Sequence, residues 1–264
     1  MQRLVVLGAG ESGVGTALLG IKKGYEVFVS DKSKIEKKYK EVLLHNNIEF
    51  EEVNHSRELI FQADVVMKSP GIPDTIPLVK DLIAKDIPVI SEMEFAGQFI
   101  KANIIGITGS NGKTTTTLLM HHILKFAGFD VCVAGNIGDS FAKQVATAQE
   151  YENYVLEISS FQLDGIKDFN SHIAIITNIT PDHLDRYNND FNKYVSSKFR
   201  ITKNQSEKDF LIYDLDNEAI SNWLNNNKTK ATLVPFSLEK KLEYGAFVEG
   251  KNIIIKITKD IIKM

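Results

Sequence analysis

At 264 residues, with 43% hydrophobic and 25% charged side chains, the chain has the make-up of a globular protein with room for two domains. A net charge of −3 gives no basic footprint and speaks against a nucleic-acid partner. No apolar run reaches the length of a membrane span and no signal peptide precedes the first strand, so the sequence reads as cytoplasmic.

In chain order, Leu4–Leu7 predicts a short buried strand that runs into Gly8-Ala-Gly-Glu-Ser-Gly13 and then a helix over Val14–Leu19. Glu26–Asp31 predicts the next strand, so the chain opens as a βαβ unit of Rossmann character. Ala63–Gly71 predicts a strand ending in a Pro-Gly turn, Leu78–Lys85 a helix and Pro88–Ile90 a strand. Ser91–Phe95 starts a helix with acidic residues in its first turn, and the pattern then begins again. Asn103–Ile107 predicts a strand and Thr114–Phe126 the helix behind it. Further strands are predicted at Val131–Ala134, Tyr154–Ile158, Ile173–Thr177 and Phe210–Tyr213. The one cysteine, Cys132, reads as a buried strand thiol, and with no second cysteine an internal disulfide is excluded. Asn225–Lys228 reads as a polar surface loop and Ile253–Thr258 as a strand. Strands alternating with helices predict an α/β protein in two parts. A Rossmann-like parallel-sheet domain is expected over residues 1–92 and a P-loop-type α/β ATPase domain over residues 93–264.

The spacing Gly8-x-Gly10-x-x-Gly13 after a strand, with Asp31 closing the following strand, meets the requirements of a dinucleotide site. Glycines let the backbone turn tightly and approach a pyrophosphate at a helix N-terminus, and a carboxylate at Asp31 would bond a ribose. Three readings stay open here: NAD, another pyrophosphate such as a UDP-sugar, or a strand-to-helix turn with no ligand.

Gly109-Ser-Asn-Gly-Lys-Thr114 also follows a strand and opens a helix. Successive backbone N–H groups there make an anion nest, Lys113 can reach terminal phosphates, and the Thr114 hydroxyl can ligate Mg²⁺. Ile107 stands where the usual P-loop has its first glycine, which marks a tighter relative of that loop. Glu157 at a strand end, His183 after another strand, and Lys198 on a helix each have an ordinary surface explanation. Together, after successive strands of one nucleotide domain, they read as a metal site of hard oxygen donors that tolerates a histidine.

Thr108–Thr115, Gly135-Asn-Ile-Gly138, Glu157-x-Ser-Ser-Phe-Gln162, Thr177-Asn-x-x-x-Asp-His-Leu-Asp185 and Ser197-Lys198-x-Arg-Ile201 resemble, in that order, the Mur ligases. These are ATP-dependent amide-forming enzymes of peptidoglycan precursor synthesis. Ser159–Leu163, Ser69-Pro-Gly-Ile72 and the short first domain are most similar to the D-glutamate-adding branch. The resemblance implies that Gly8–Gly13, including Glu11 and Ser12, together with Asp31, Lys32, Ser69, Pro70 and Gly71, hold the UDP part of UDP-N-acetylmuramoyl-L-alanine. It implies that Asn136, Ser159 and Gln162 position the muramoyl end. ATP would lie on Gly109, Ser110, Asn111, Gly112, Lys113, Thr114 and Thr115. Two Mg²⁺ ions are implied, one on Thr114 and Glu157 and one near His183, with Lys198 a metal ligand once carbamylated. Lys113, Glu157, His183 and Lys198 would be the catalytic set of a monomeric enzyme. The family pattern includes a C-terminal amino-acid-binding domain that this chain is expected to lack. D-glutamate would arrive through that domain, and the chain alone is expected to form the amide poorly. A sister ligase adding L-alanine or a diamino acid, a folylpolyglutamate synthase-like enzyme, a non-catalytic UDP/ATP-binding module and a dehydrogenase are the alternatives.

Overall fold

The computed structural model describes residues 1–147, 149–257 and 262–263. The first ninety residues build a five-stranded parallel sheet from β1 (Arg3–Leu7), β2 (Glu26–Asp31), β3 (Glu49–Glu52), β4 (Val65–Lys68) and β5 (Val89–Ile90), in the order β3-β2-β1-β4-β5. Helices α1 (Glu11–Lys22), α2 (Lys37–His45), α3 (Arg57–Ile60) and α4 (Pro77–Ala84) connect successive strands. The central strands are apolar because parallel strands are covered on both faces, and β1 has four of its five residues buried. Val5, Leu7, Phe28, Val66, Leu78 and Leu82 belong to one core cluster. After α5 (Glu92–Gly97), whose first turn is capped by the Ser91 hydroxyl accepting the Glu94 N–H, the chain leaves this sheet.

The second sheet begins with β6 (Asn103–Thr108), followed by α6 (Lys113–Phe126), β7 (Val131–Gly135), α7 (Phe141–Ala146), β8 (Asn153–Glu157), α8 (Ser160–Asp164) and β9 (Ile173–Ile176). It continues through α9 (Phe191–Phe199), β10 (Phe210–Asp214), α10 (Glu218–Asn226), β11 (Thr232–Ser237), β12 (Gly245–Glu249), β13 (Asn252–Lys256) and β14 (Ile262–Lys263). The nine strands run β14-β13-β12-β11-β10-β9-β6-β8-β7, parallel from β8 through β12 and antiparallel at β12-β13-β14. Strand β6 sits between β8 and β9, so the loops leaving these three strands share one carboxyl edge, where parallel sheets gather ligands.

By contacts the chain forms two compact units that interleave in sequence. The first holds Met1–Lys101, Ala134–Tyr151 and Phe161–Phe169, and the second Ala102–Val133, Glu152–Ser160 and Asn170–Met264. Several sequence expectations differ in detail from what is observed. The first helix starts at Glu11, immediately after the glycine turn, rather than at Val14. Asn225 and Asn226 close α10, so the expected loop at Asn225–Lys228 begins inside a helix. The last expected strand is β13, Asn252–Lys256, and its expected end at Thr258 lies outside the described residues. Cys132 is buried in β7 as expected. Among the described residues no helix is long and apolar enough to cross a membrane.

Candidate functional site

In the first unit the glycine loop links the end of β1 to the start of α1. Gly8 has φ +91°, and a side chain there would meet Ser69 Oγ at 2.7 Å. A Cβ on Gly13 would lie 1.8 Å from the Gly8 carbonyl oxygen, so the first turn of α1 is seated directly on the loop. Ser69 donates from Oγ to the Gly8 carbonyl at 3.3 Å and from its backbone N–H to Leu7 O at 2.9 Å. The Ser69-Pro70-Gly71 turn is thereby joined to the loop. Asp31 also acts on this backbone: its Oδ2 accepts the Ala9 N–H at 2.7 Å and its Oδ1 the Ser33 N–H at 2.7 Å. Oδ2 thus braces the glycine turn, while Oδ1 holds the start of the loop that follows β2.

Glu11, at the start of α1, turns toward α7: its Oε1 accepts the Ser140 N–H at 3.3 Å and pairs with Lys143 at 3.5 Å. Ser12 is half-buried beside it, while Lys32 is exposed on the surface after β2. Asn136 is exposed on the loop between β7 and α7, and Gln162 is 2% exposed in α8; both belong to the first unit. Ser159 belongs to the second.

In the second unit the phosphate loop leaves β6 and its Gly112, at φ +78°, caps α6. Gly109 takes φ +151°, and a Cβ there would meet Thr177 Oγ1 at 2.0 Å. The loop is held open by the segment after β9. Ser110 N–H donates to Asn178 O at 2.9 Å, Asn111 N–H to Asn178 Oδ1 at 2.9 Å, and Thr177 Oγ1 to Asn111 O at 2.7 Å. Ser110 Oγ donates to Thr180 O at 2.8 Å. Thr115 follows Thr114 in the first turn of α6.

The acidic and basic groups converge on this loop from separate elements. Thr114 Oγ1 lies 2.7 Å from Glu157 Oε2, and Glu157, at the end of β8, is 1% exposed. Lys113 Nζ donates to the Gly109 and Ser110 carbonyls at 3.0 Å each. Lys198, on α9 and 2% exposed, donates from Nζ to Gly109 O at 2.7 Å. A buried ammonium needs such a partner, and its Nζ also lies 4.7 Å from the Tyr194 ring centre. Tyr194 in turn bonds Ser110 Oγ at 3.1 Å, and burial pushes its phenol pKa up. His183 stands apart in exposure, with 56% of its side chain accessible, φ +49° and Nε2 3.5 Å from Asp182.

The oxygen pair of Thr114 and Glu157 has the chemistry Mg²⁺ takes when nucleotide phosphates and water supply its remaining ligands. A second ion has a thinner donor set, since no group of three or more His, Cys, Asp or Glu gathers among the described residues. Thr177 and Asn178 enter the sequence pattern only as part of a motif, and Tyr194 not at all. Tyr194 had a readable signal, because it lies four residues before Lys198 and so on the same helical face.

The chain is an α/β protein with one glycine loop at the head of each sheet, the second loop carrying a carboxylate and two lysines, which is the layout of a phosphate-binding protein. The Mur ligase middle domain matches residues 107–260 and the MurD N-terminal domain residues 3–76. The chain belongs to the Mur ligase family. The UDP-N-acetylmuramoylalanine–D-glutamate ligase of Christiangramia forsetii is 55% identical over 256 residues, covering 97% of this chain and 57% of that protein. Its namesake in Bacteroides thetaiotaomicron is 50% identical over 261 residues, covering 99% of this chain and 58% of that protein. The chain therefore spans a little over half the length of these curated relatives. The crystal structure of the UDP-N-acetylmuramate:L-alanyl-gamma-D-glutamyl-meso-diaminopimelate ligase from Neisseria meningitides shares the fold. It superposes with a TM-score of 0.65 at 16% identity, over 97% of this chain and 84% of that one.

Proposed function

We propose that this chain carries the UDP-substrate and ATP sites of a ligase that adds D-glutamate to UDP-N-acetylmuramoyl-L-alanine. The observation that carries the reading is the Thr114–Glu157 pair at the head of α6, on a loop that Lys113 and Lys198 both reach. The curated relatives, named for this reaction, supply the substrate class. In this reading residues 1–92 serve the UDP moiety and residues 93–264 the ATP. D-glutamate is bound by the length that the relatives have outside the matched stretch.

The chemistry is carboxylate activation. The terminal carboxylate of the muramoyl peptide attacks the γ-phosphorus of ATP, giving an acyl phosphate and ADP. The amine of D-glutamate then adds to the acyl carbon, and orthophosphate leaves as the amide forms. Two anions have to approach each other, so fixed positive charge must offset their repulsion. Lys113 supplies part of it, and the N–H nest of Gly109–Thr115 at the positive end of α6 supplies more. Thr114 and Glu157 would hold one Mg²⁺, and His183 with a carbamylated Lys198 a second; the metal contributes charge screening and orientation of phosphate oxygens. Asn136, Ser159 and Gln162 would orient the muramoyl end. The enzyme works in this reading as a cytoplasmic monomer with no nucleic-acid or membrane partner.

Titration calorimetry tests the reading directly. UDP-N-acetylmuramoyl-L-alanine is expected to bind, and ATP with Mg²⁺ to bind independently. Tight NADH binding without UDP-substrate binding would overturn the proposal in favour of a dehydrogenase.

A further inference from the structure

The loop between β7 and α7 carries Asn136 and closes on itself. Gly135, at φ +107°, donates its N–H to the Asp139 carbonyl at 3.3 Å, and Gly138 turns the chain at φ +64°. Both conformations suit glycine. Asp139 forms the foot of the loop. Its Oδ1 pairs with Lys143 Nζ at 2.6 Å and its Oδ2 accepts Gln144 Nε2 at 2.9 Å, both from α7.

The same lysine also reaches the other way. Lys143 Nζ lies 3.5 Å from Glu11 Oε1, in the first turn of α1, and that oxygen accepts the Ser140 N–H at 3.3 Å. One ammonium thus stands between a carboxylate on the helix that follows the glycine loop and a carboxylate at the foot of the Asn136 loop. The hydrogen bond to Asp139, and after it the Glu11 charge, raises the Lys143 pKa against the effect of burial, so the link stays charged. Beneath these charges the helices are seated on a third. Buried Glu92, at the start of α5, accepts the Ala142 N–H at 2.9 Å, and α1 meets α7 at Gly15, where a side chain would strike Ser140 Oγ. All of these residues belong to the first unit.

In the reading above both loops serve one ligand, the glycine loop its pyrophosphate and Asn136 its muramoyl end. A ligand that spans two loops gains fully from both only when their spacing is already right. We propose that Lys143, with Glu11 and Asp139, is a clasp that sets this spacing and so gauges the sugar end of the UDP-substrate. Lys143 is a positioning residue in this role and acts through the loops. The inference rests on the UDP-substrate reading. UDP alone engages one loop and is indifferent to the clasp, whereas UDP-N-acetylmuramoyl-L-alanine engages both.

Calorimetry on the full chain at low ionic strength, with UDP and with UDP-N-acetylmuramoyl-L-alanine, tests it. Lys143→Met should bind UDP as wild type does and the whole substrate about fivefold more weakly, the upper reach of a partly exposed ion pair. Lys143→Arg keeps the cation and should stay within about twofold of wild type. Asp139→Asn leaves the lysine in place but cuts the link, and should lose the same factor as Lys143→Met. In about 0.5 M salt the gap between wild type and Lys143→Met should close, because screening removes a charge link and spares packing. An Asp139→Asn variant that binds the whole substrate as wild type does would mean direct contact between Lys143 and ligand, and would overturn the inference. Equal weakening of both ligands by Lys143→Met would overturn it too, as the mark of a merely structural role. Wild type that binds the whole substrate no better than UDP would overturn the inference while leaving the UDP site in place. No binding of UDP at all would overturn the UDP-substrate reading and this inference with it. Should Lys143→Met fail to fold, Asp139→Asn carries the test alone.

Discussion

Glu92 is fully buried at the start of α5, with Oε1 accepting the Ala142 N–H at 2.9 Å. Burial pushes its carboxyl pKa up, against hydrogen bonds from Ala142, Ser12 and Ser140 that pull it down. A carboxyl raised in the folded state favours the fold most in its protonated form. That contribution is fully present below the unfolded value and is lost as pH climbs toward the folded one. Glu92→Gln should therefore gain stability relative to wild type between about pH 5 and about pH 8, measured by urea denaturation at both. A gap that does not change with pH would refute this. Gly109 poses a steric demand instead, because a methyl group there meets Thr177 Oγ1 at 2.0 Å and Asn178 O at 3.1 Å. Gly109→Ala should weaken ATP binding by about tenfold or more and leave UDP binding unchanged, both read by calorimetry. Lys113 and Thr114 were legible in the sequence from the spacing of their loop, whereas Glu157 and Lys198 read singly as surface groups and drew attention only together and through the family resemblance. What Thr177 and Asn178 do was not legible, because bracing a loop is a property of two backbones meeting, and no spacing along one chain encodes it.

At the scale of elements, α1 and α7 approach unusually closely. A Cβ on Gly15 would lie 2.1 Å from Ser140 Oγ and 2.9 Å from the Lys143 nitrogen. Gly15→Ala should cost about 1–3 kcal/mol by overpacking, read as a lower urea midpoint with an unchanged slope. The strands that sequence reasoning found are those with continuous apolar runs, such as β1, β6 and β8, where burial on both faces dictates the composition. Strand β3 escaped because it lies at the sheet edge and reads Glu-Phe-Glu-Glu, an exposed pattern with little apolar signal. Strand β11 escaped because Pro235 sits within it, and proline argues against an interior strand. It is tolerated because pairing with β12 begins only at Phe236. The end of α10 read as a loop since asparagine is a poor helix former, yet its N-cap Asn217 accepts the Ile220 N–H and starts the helix.

For the whole molecule, the change of sheet between β5 and β6 was legible as a restarted pattern, whereas the return of later segments to the first unit was not. Residues 134–151 and 161–169 come back to it through packing that involves side chains far apart in sequence. Glu94, 3% exposed, is the clearest instance, its carboxylate accepting the Lys167, Asp168 and Phe169 N–H groups at 2.7–3.0 Å. Gly165 carries the same contact, with no room for a side chain against Ser91. A chain cut after residue 101 would lose the segments that donate to the Glu94 and Glu92 carboxylates and would open to water the apolar surface those segments cover. Such a piece should unfold at lower urea than the first unit does within the full chain, and bind a dye specific for exposed apolar surface. Equal stability would contradict the interleaved unit.

The same interleaving sets an order of events during synthesis. The five strands of the first sheet emerge from the ribosome well before the segments around Ser140 and Gly165 that complete their unit. At about 5–20 residues per second, the nascent chain waits several seconds with Glu92, Glu94 and the flank of α1 unpartnered. Meanwhile the strand that ends in the phosphate loop is itself being made. Translation speed through the stretch before residue 169 thus controls how long an unfinished surface is offered to chaperones.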